Sequence, residues 1–142
     1  AKFSVGVLDF AYSNTEIAVI QCDFVRNYAG DHTGVMRFFD GNMYVEVTGS
    51  TFRENIGWLG VGAILVGNAN SYFRFTDNTF ERNSAIAEGG RAGAVEVSDQ
   101  NSLVEFTNCT FRFNAVLGGF GLGGALSFLF LNFGVVVSDC TF

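Results

Sequence analysis

"CTFRFN" (Cys109–Asn114) is one of a set of near-copies. "CDFVRN" stands at Cys22–Asn27, "STFREN" at Ser50–Asn55 and "NTFERN" at Asn78–Asn83, and a fifth copy opens as "CTF" at Cys140–Phe142. The phenylalanines of the phrase, Phe24, Phe52, Phe80, Phe111 and Phe142, are spaced by 28, 28, 31 and 31 residues. An asparagine follows three residues later in each full copy: Asn27, Asn55, Asn83 and Asn114. A glycine lies 18 residues before each Phe, at Gly6, Gly34, Gly62, Gly93 and Gly124. Eight residues beyond each glycine comes a second asparagine: Asn14, Asn42, Asn70, Asn101 and Asn132. A fixed period of this length means stacked repeats, each burying its apolar face on its neighbours. All length variation falls between the phrase Asn and the next Gly, where six residues intervene in two repeats and nine in the other two. A segment that tolerates insertion is a loop pointing away from the core.

Within each repeat the local period is two. "YVEVT" (Tyr44–Thr48), "YFRFT" (Tyr72–Thr76) and "LVEFT" (Leu103–Thr107) place Val45 and Val47, Phe73 and Phe75, Val104 and Phe106 on one face, with Glu46, Arg74 and Glu105 on the other. The stretch after each glycine alternates in the same way. Met36 and Phe38, Val95 and Val97, Leu126 and Phe128 face in; Arg37, Glu96 and Ser127 face out. Such alternation is that of strands. With the phrase as a third short strand, the pattern predicts an all-β fold: a right-handed parallel β-helix of 28–31 residues per coil, between four and five coils, in one domain spanning residues 1–142. Successive coils then stack at about 4.8 Å, each residue on its counterpart. A leucine-rich repeat would need an L-x-x-L-x-L pattern, which is missing, and a propeller blade would need a longer period.

The register assigns roles. The Phe column is expected to form an aromatic stack in the core. The two Asn columns are expected at corners, where a side-chain amide satisfies turning backbone and bonds its copies above and below. The glycine column is expected where the backbone needs room or positive φ.

Composition agrees. Of 142 residues, 49% are hydrophobic and only 15% charged, enough for a sizeable core and unlike a disordered chain. There are 17 Phe and no Pro, so Gly, Asn and Asp must make the turns. The net charge of −6 speaks against nucleic acid as a partner. Asn114 to Ser138 carries no charge and would score as a membrane helix, yet it is rich in glycine and keeps the repeat landmarks, so no transmembrane helix is expected. The chain starts without Met or a signal-peptide pattern and opens and closes inside a repeat. This reads as a mature fragment of a longer chain or as a unit that assembles.

The pairing of F-x-x-N (Phe24/Asn27, Phe52/Asn55, Phe80/Asn83, Phe111/Asn114) with a G-G-A-like segment resembles the repeats of chlamydial-type polymorphic outer-membrane proteins. The second motif is strict in "GGAL" (Gly123–Leu126) and degenerate in "RAGAV" (Arg91–Val95), "GVGAI" (Gly60–Ile64) and "TGVM" (Thr33–Met36). The resemblance implies a right-handed β-helix of the passenger or stalk kind, outside the cell or on its surface, acting in adhesion or display as a rod, stalk or filament unit.

A carbohydrate-active enzyme or a glycan-binding module is the alternative. Polysaccharide lyases and hydrolases need clustered acids on one outward face. Here the outward column reads Ala18, Glu46, Arg74, Glu105, Val136, with the acids two coils and roughly 9–10 Å apart. Arg74 between them reads more simply as a rung of a charge ladder. The same alternation recurs in Arg53, Glu81, Arg112 and in Arg26, Glu54, Arg82, and it avoids stacking like charges. No catalytic residue, metal ligand or cofactor site is therefore expected. His32 beside Asp31 reads as a loop residue, and Trp58 and Tyr28 as loop aromatics that could meet sugar rings. "GGFGLGG" (Gly118–Gly124) lacks the Lys-Ser/Thr end of a phosphate loop. Cys22, Cys109 and Cys140 share one small inward column and are expected as free thiols. "NCT" at Asn108 is a glycosylation sequon. Towards the C-terminus the outward columns lose charge: Val136 follows Glu105 and Phe113 follows Arg82, with Phe130 in an apolar turn nearby. These three residues mark a candidate interface for self-association or for further chain.

Overall fold

The computed structural model describes residues 5–119 and 121–142; Phe120, within the Gly118–Gly124 stretch, lies outside the described residues. The chain is a parallel β-helix, and no helix forms among the described residues. Five post-glycine strands stack into one sheet: Leu8–Ala11, Met36–Phe39, Ile64–Val66, Val95–Ser98 and Leu126–Leu129. Five central strands form the second: Thr15–Ile20, Met43–Thr48, Ser71–Thr76, Ser102–Thr107 and Phe133–Ser138. The phrase strands Asp23–Val25, Thr51–Arg53, Thr79–Glu81 and Thr110–Arg112 form the third. Thr141 extends that column by a bridge to Thr110. To the three expected strands each coil adds a short fourth: Tyr28–Ala29, Ile56–Gly57, Ser84–Ala85 and Ala115–Val116. Two residues per coil are too few to show alternation, so this sheet leaves no sequence signal. The apolar stretch after Asn114 contributes strands to all coils it enters, and among the described residues no helix is long and apolar enough to cross a membrane.

The Phe column stacks as expected. Phe24, Phe52, Phe80, Phe111 and Phe142 lie with successive ring centroids 5.1, 4.8, 4.9 and 5.2 Å apart, every pair within 12° of parallel. Two shorter stacks, Phe10–Phe38 and Phe75–Phe106, thicken the core. Both Asn columns are hydrogen-bonded ladders. Asn14 Nδ2 donates to Asn42 Oδ1, Asn42 to Asn70, Asn70 to Asn101 and Asn101 to Asn132, at 2.9–3.1 Å. Asn27, Asn55, Asn83 and Asn114 repeat this at 2.8–2.9 Å. Each acceptor Oδ1 also takes the backbone N–H of the previous Asn, as Asn83 Oδ1 takes Asn55 N–H at 3.1 Å. The second amide hydrogen turns back to a carbonyl of the preceding coil, as Asn55 Nδ2 does to Phe24 O and Asn83 Nδ2 to Phe52 O, each at 2.9 Å.

The glycine column is explained by room alone. A Cβ on Gly6, Gly34, Gly62 or Gly93 would stand 1.8–2.0 Å from the carbonyl oxygen of the glycine in the next coil. None of these glycines has positive φ; the left-handed positions lie elsewhere and are mostly not glycine. Arg26, Glu54, Arg82 and Phe113 form one such column, immediately before the Asn ladder. Tyr44, Tyr72, Leu103 and Gly134 form another, inside the central strands.

Two outward assignments need correction. Glu96 and Ser127 face away from the Phe stack, yet Glu96 is fully buried and Ser127 nearly so, because the inter-coil loops fold over this sheet. Phe128 points inward but is 41% exposed, lying in the last of the five stacked post-glycine strands.

Candidate functional site

The central sheet presents the outward column read from the sequence. Ala18, Glu46, Arg74, Glu105 and Val136 are in register across five coils. Arg74 Nε donates to Glu105 at 3.4 Å, while Glu46 accepts from Thr48 Oγ1 at 3.3 Å. Both acids therefore have a polar neighbour on this exposed face. In the column just before the Asn27 ladder, Arg26 Nε bonds Glu54 at 2.6 Å and holds that carboxyl below its ordinary pKa. Arg82 turns sideways to Glu81 and lies 5.2 Å from the centre of the Phe113 ring. Beside the Glu46–Arg74–Glu105 column runs a feature the sequence reading passed over. Tyr44 and Tyr72 are exposed and stacked, centroids 4.9 Å apart, and with Leu103 they edge a depression of about 480 Å³.

The post-glycine sheet is different. Its outward column reads Asp9, Arg37, Leu65, Glu96, Ser127. The loops between coils stack into a wall beside it: Leu59 N–H donates to Asp31 O, Val61 N–H to His32 O, and Arg91 N–H to Gly60 O. Gly60 lets the wall close, since a Cβ there would lie 2.3 Å from His32 O. The opposite wall is the Asn corner, with Phe39, Asn68, Ser98 and Asp99. Between the walls lies a groove of about 610 Å³, the scale of small-molecule sites. Leu59, Val61, Leu65 and Phe39 make it partly apolar; Arg37, His32, Asn68, Arg91, Glu96 and Asp99 supply its polar groups.

Charge in the groove is mostly committed. Arg37 forks onto Asp9, with Nε donating to Oδ1 at 2.9 Å and Nη2 to Oδ2. Glu96 has Leu65 and Ser127 above and below it, so its own column offers no cation. Its partner comes from the loop instead: Arg91 Nη1 donates to Oε1 at 3.1 Å. Ser98 and Arg91 both favour the charged form, but burial outweighs them and raises the carboxyl above its ordinary pKa. Oε2 is buried and makes no hydrogen bond of proper geometry.

The remaining candidates take plainer places. Cys22, Cys109 and Cys140 are free thiols. Burial pushes the Cys109 thiol up to about 11, so it stays protonated and unreactive. Asn108 is exposed, and its Nδ2 donates to Asp77 at 2.6 Å. Trp58 and Tyr28 are exposed on the loop wall, where Leu59 rather than Trp58 faces the groove. Phe113, Phe130 and Val136 are exposed by 72%, 78% and 48%. Among the described residues no three His, Cys, Asp or Glu side chains cluster as metal ligands.

These features define a parallel β-solenoid with two polar outer faces and a loop-walled groove. Comparison with known proteins returns no match, whether to family models, to curated proteins or to solved structures.

Proposed function

We propose that the protein is a structural and adhesive display module, an extracellular or cell-surface β-helical rod that presents its inter-coil loops and associates through the apolar surface of its C-terminal coils. The observation that carries this reading is the contrast between an invariant interior and a variable loop wall. Both Asn ladders and the Phe stack run without a break through the coils, while length changes occur only in the loops. A rod needs such a repeating interior, and the acids Glu46 and Glu105 fall into the same repeat, alternating with Arg74 from coil to coil. The exposed Phe113, Phe130 and Val136 lie on outward columns, where end effects on the core do not account for apolar side chains.

Two measurements test the reading. Protease treatment of intact cells that make the protein should remove loop epitopes at residues 57–62; protection of those epitopes until the cells are opened overturns the surface placement. In sedimentation, the wild type should associate and the Phe113→Glu/Val136→Lys variant should do so less, with the β-sheet circular dichroism unchanged. A wild type that stays monomeric at micromolar concentration, or a variant that assembles equally well, overturns the interface. A polysaccharide screen showing turnover that disappears in Glu105→Gln would overturn the non-enzymatic role.

A further inference from the structure

We propose that the outward face of the third sheet, the one formed by the phrase strands, binds a linear acidic polysaccharide laid along the solenoid axis over Arg26, Arg53, Arg82 and Arg112. This gives the adhesive role a partner, yet it rests on residues other than the loops and the C-terminal interface. The charge ladder on this face does not close. Arg53, Glu81 and Arg112 are in register on three coils, so Glu81 has an arginine on either side. It bonds the next residue, Arg82, instead. Arg53 and Arg112 are exposed and form no ion pair with any described residue. One column over, Glu54 is taken by Arg26. In both pairs the acid lies deeper than the arginine: Glu54 and Glu81 have side chains exposed by 32% and 20%, Arg26 and Arg82 by 75% and 54%. The outermost layer of this face is therefore guanidinium. The two columns hold four of the chain's eight Lys and Arg against two glutamates, a net +2 on a chain of net −6. The backbone points the same way. Arg26 and Arg82 hold left-handed conformations, at φ 56° and 53°, where Gly, Asn or Asp fit at least cost. The left-handed column before the phrase, Gln21, Gly49, Asp77, Asn108 and Asp139, mostly obeys that preference. Arginine in the same conformation is not what folding alone selects.

The placement of the arginines sets the occupant. Each of four successive coils contributes one, Arg26 and Arg82 from one column and Arg53 and Arg112 from the other. The guanidinium groups thus zigzag along the axis in steps of about 4.8 Å. In an extended, ribbon-like sugar chain each residue advances by a similar distance and is turned over relative to the last, so acidic groups project to alternate sides. An extended acidic peptide repeats its same-side carboxylates at about 6.6–6.8 Å, out of step with the coils. An anionic bilayer is flat and would also meet the exposed Asp23, Asp77 and Asp139 beside the stripe, which a single chain avoids. Thr51, Thr79 and Thr110 lie in register on the same sheet and put one half-buried hydroxyl per coil next to the arginines. Such hydroxyls both donate to and accept from sugar hydroxyls, while the free guanidinium forks take the acidic oxygens in pairs.

The test is titration of the full chain with a mannuronate hexamer, a sulfated mannose hexamer and the neutral mannose hexamer, read by calorimetry and by anisotropy of the labelled sugar. Polyglutamate and phosphatidylserine vesicles are the comparators. At least one acidic hexamer should bind at or below about 5 mM, more weakly as salt is raised, and the neutral hexamer should not. Arg53→Gln/Arg112→Gln should weaken binding by about tenfold or more with the thermal transition unchanged, because neither arginine has an ion pair to lose. Arg53→Lys/Arg112→Lys should keep more of the affinity than the Gln variant. The proposal is overturned if neither acidic hexamer binds up to about 5 mM. Equal binding of the neutral hexamer overturns it too, as does binding unchanged in the Gln variant or binding of polyglutamate or vesicles alone. None of these readouts needs self-association, so a wild type that stays monomeric would sink the C-terminal interface and leave this site standing.

Discussion

The central sheet and the post-glycine sheet are built by the same rule and end in different environments. Both alternate with period two, both bury Phe and Val inward, and both place charged residues in an outward column. On the central sheet that column is wet: Arg74 and Glu105 have side chains exposed by 66% and 45%. On the post-glycine sheet Glu96, at the same kind of position, has a side chain exposed by 0%. Alternation says which way a side chain points, not whether water is there. What covers it is decided by the loops, the one part of the repeat that carries no fixed pattern.

The interior common to both sheets supplies the reference against which their difference is measured. Phe80 is fully buried, with Phe52 and Phe111 stacked on either side. Phe80→Ala should cost about 3–5 kcal/mol in chemical denaturation, the range for a buried aromatic; a shift below about 1 kcal/mol would mean the stack is not what holds the coils. A smaller loss is expected at the corner. Asn55 is fully buried, donates to Asn83 and to Phe24 O, and accepts from Asn27. Asn55→Ala should cost about 1–3 kcal/mol by leaving those groups unpaired. Asn68 lies outside both ladders, and its side chain bonds Asp40 at 3.1 Å. An equal loss in Asn68→Ala would break the assignment of the corner.

Glu96 then separates the two faces by pH. Its folded pKa is raised, mainly by burial, above its ordinary value of 4.5. Below that value the carboxyl is protonated in both states and its burial carries no charge penalty. Between 4.5 and the raised value the folded chain holds more protons than the unfolded one, so stability falls as pH rises through that window. Above it the penalty is fully present. Glu96→Gln should flatten this part of the stability profile and raise the denaturation midpoint at neutral pH. An unchanged slope would mean that the loops do not seal the carboxyl from water.

What the sequence made legible follows from which interactions repeat. The Phe stack, both Asn ladders and the in-register outward columns were readable because each coil needs its counterpart at the same place, so spacing alone exposed Phe24 to Phe142 and Asn14 to Asn132. The glycine column was readable as a requirement, though only the structure showed it to be close approach between Gly6 and Gly34 rather than positive φ. The fourth strand was not readable, since two residues show no period. Nor was the groove: it depends on Arg91 reaching from a loop to Glu96 and on Gly60 nesting against His32, contacts that occur once and leave no repeat. The stacked Tyr44 and Tyr72 could have been found by writing out the column beside Glu46 and Arg74, where two aromatics fall one coil apart.

The smallest expected effect concerns the wet column. Glu46, Arg74 and Glu105 alternate in sign, the pattern of a charge ladder. Yet Arg74 meets Glu105 at 3.4 Å with both side chains largely in water, and exposed pairs are worth about 0.2–1 kcal/mol in double-mutant cycles. The value of alternation is then mainly the avoidance of like charges stacked one strand apart. This separates two substitutions. Arg74→Ala, Glu105→Ala and the double variant should give a coupling below about 1 kcal/mol, and that coupling should shrink as salt screens it. Arg74→Glu should lose more than Arg74→Ala, because it places three carboxylates in consecutive coils, and salt should recover most of the difference. A coupling well above 1 kcal/mol that is insensitive to salt would mean the central column is shielded like the groove, and the contrast between the two sheets would fail.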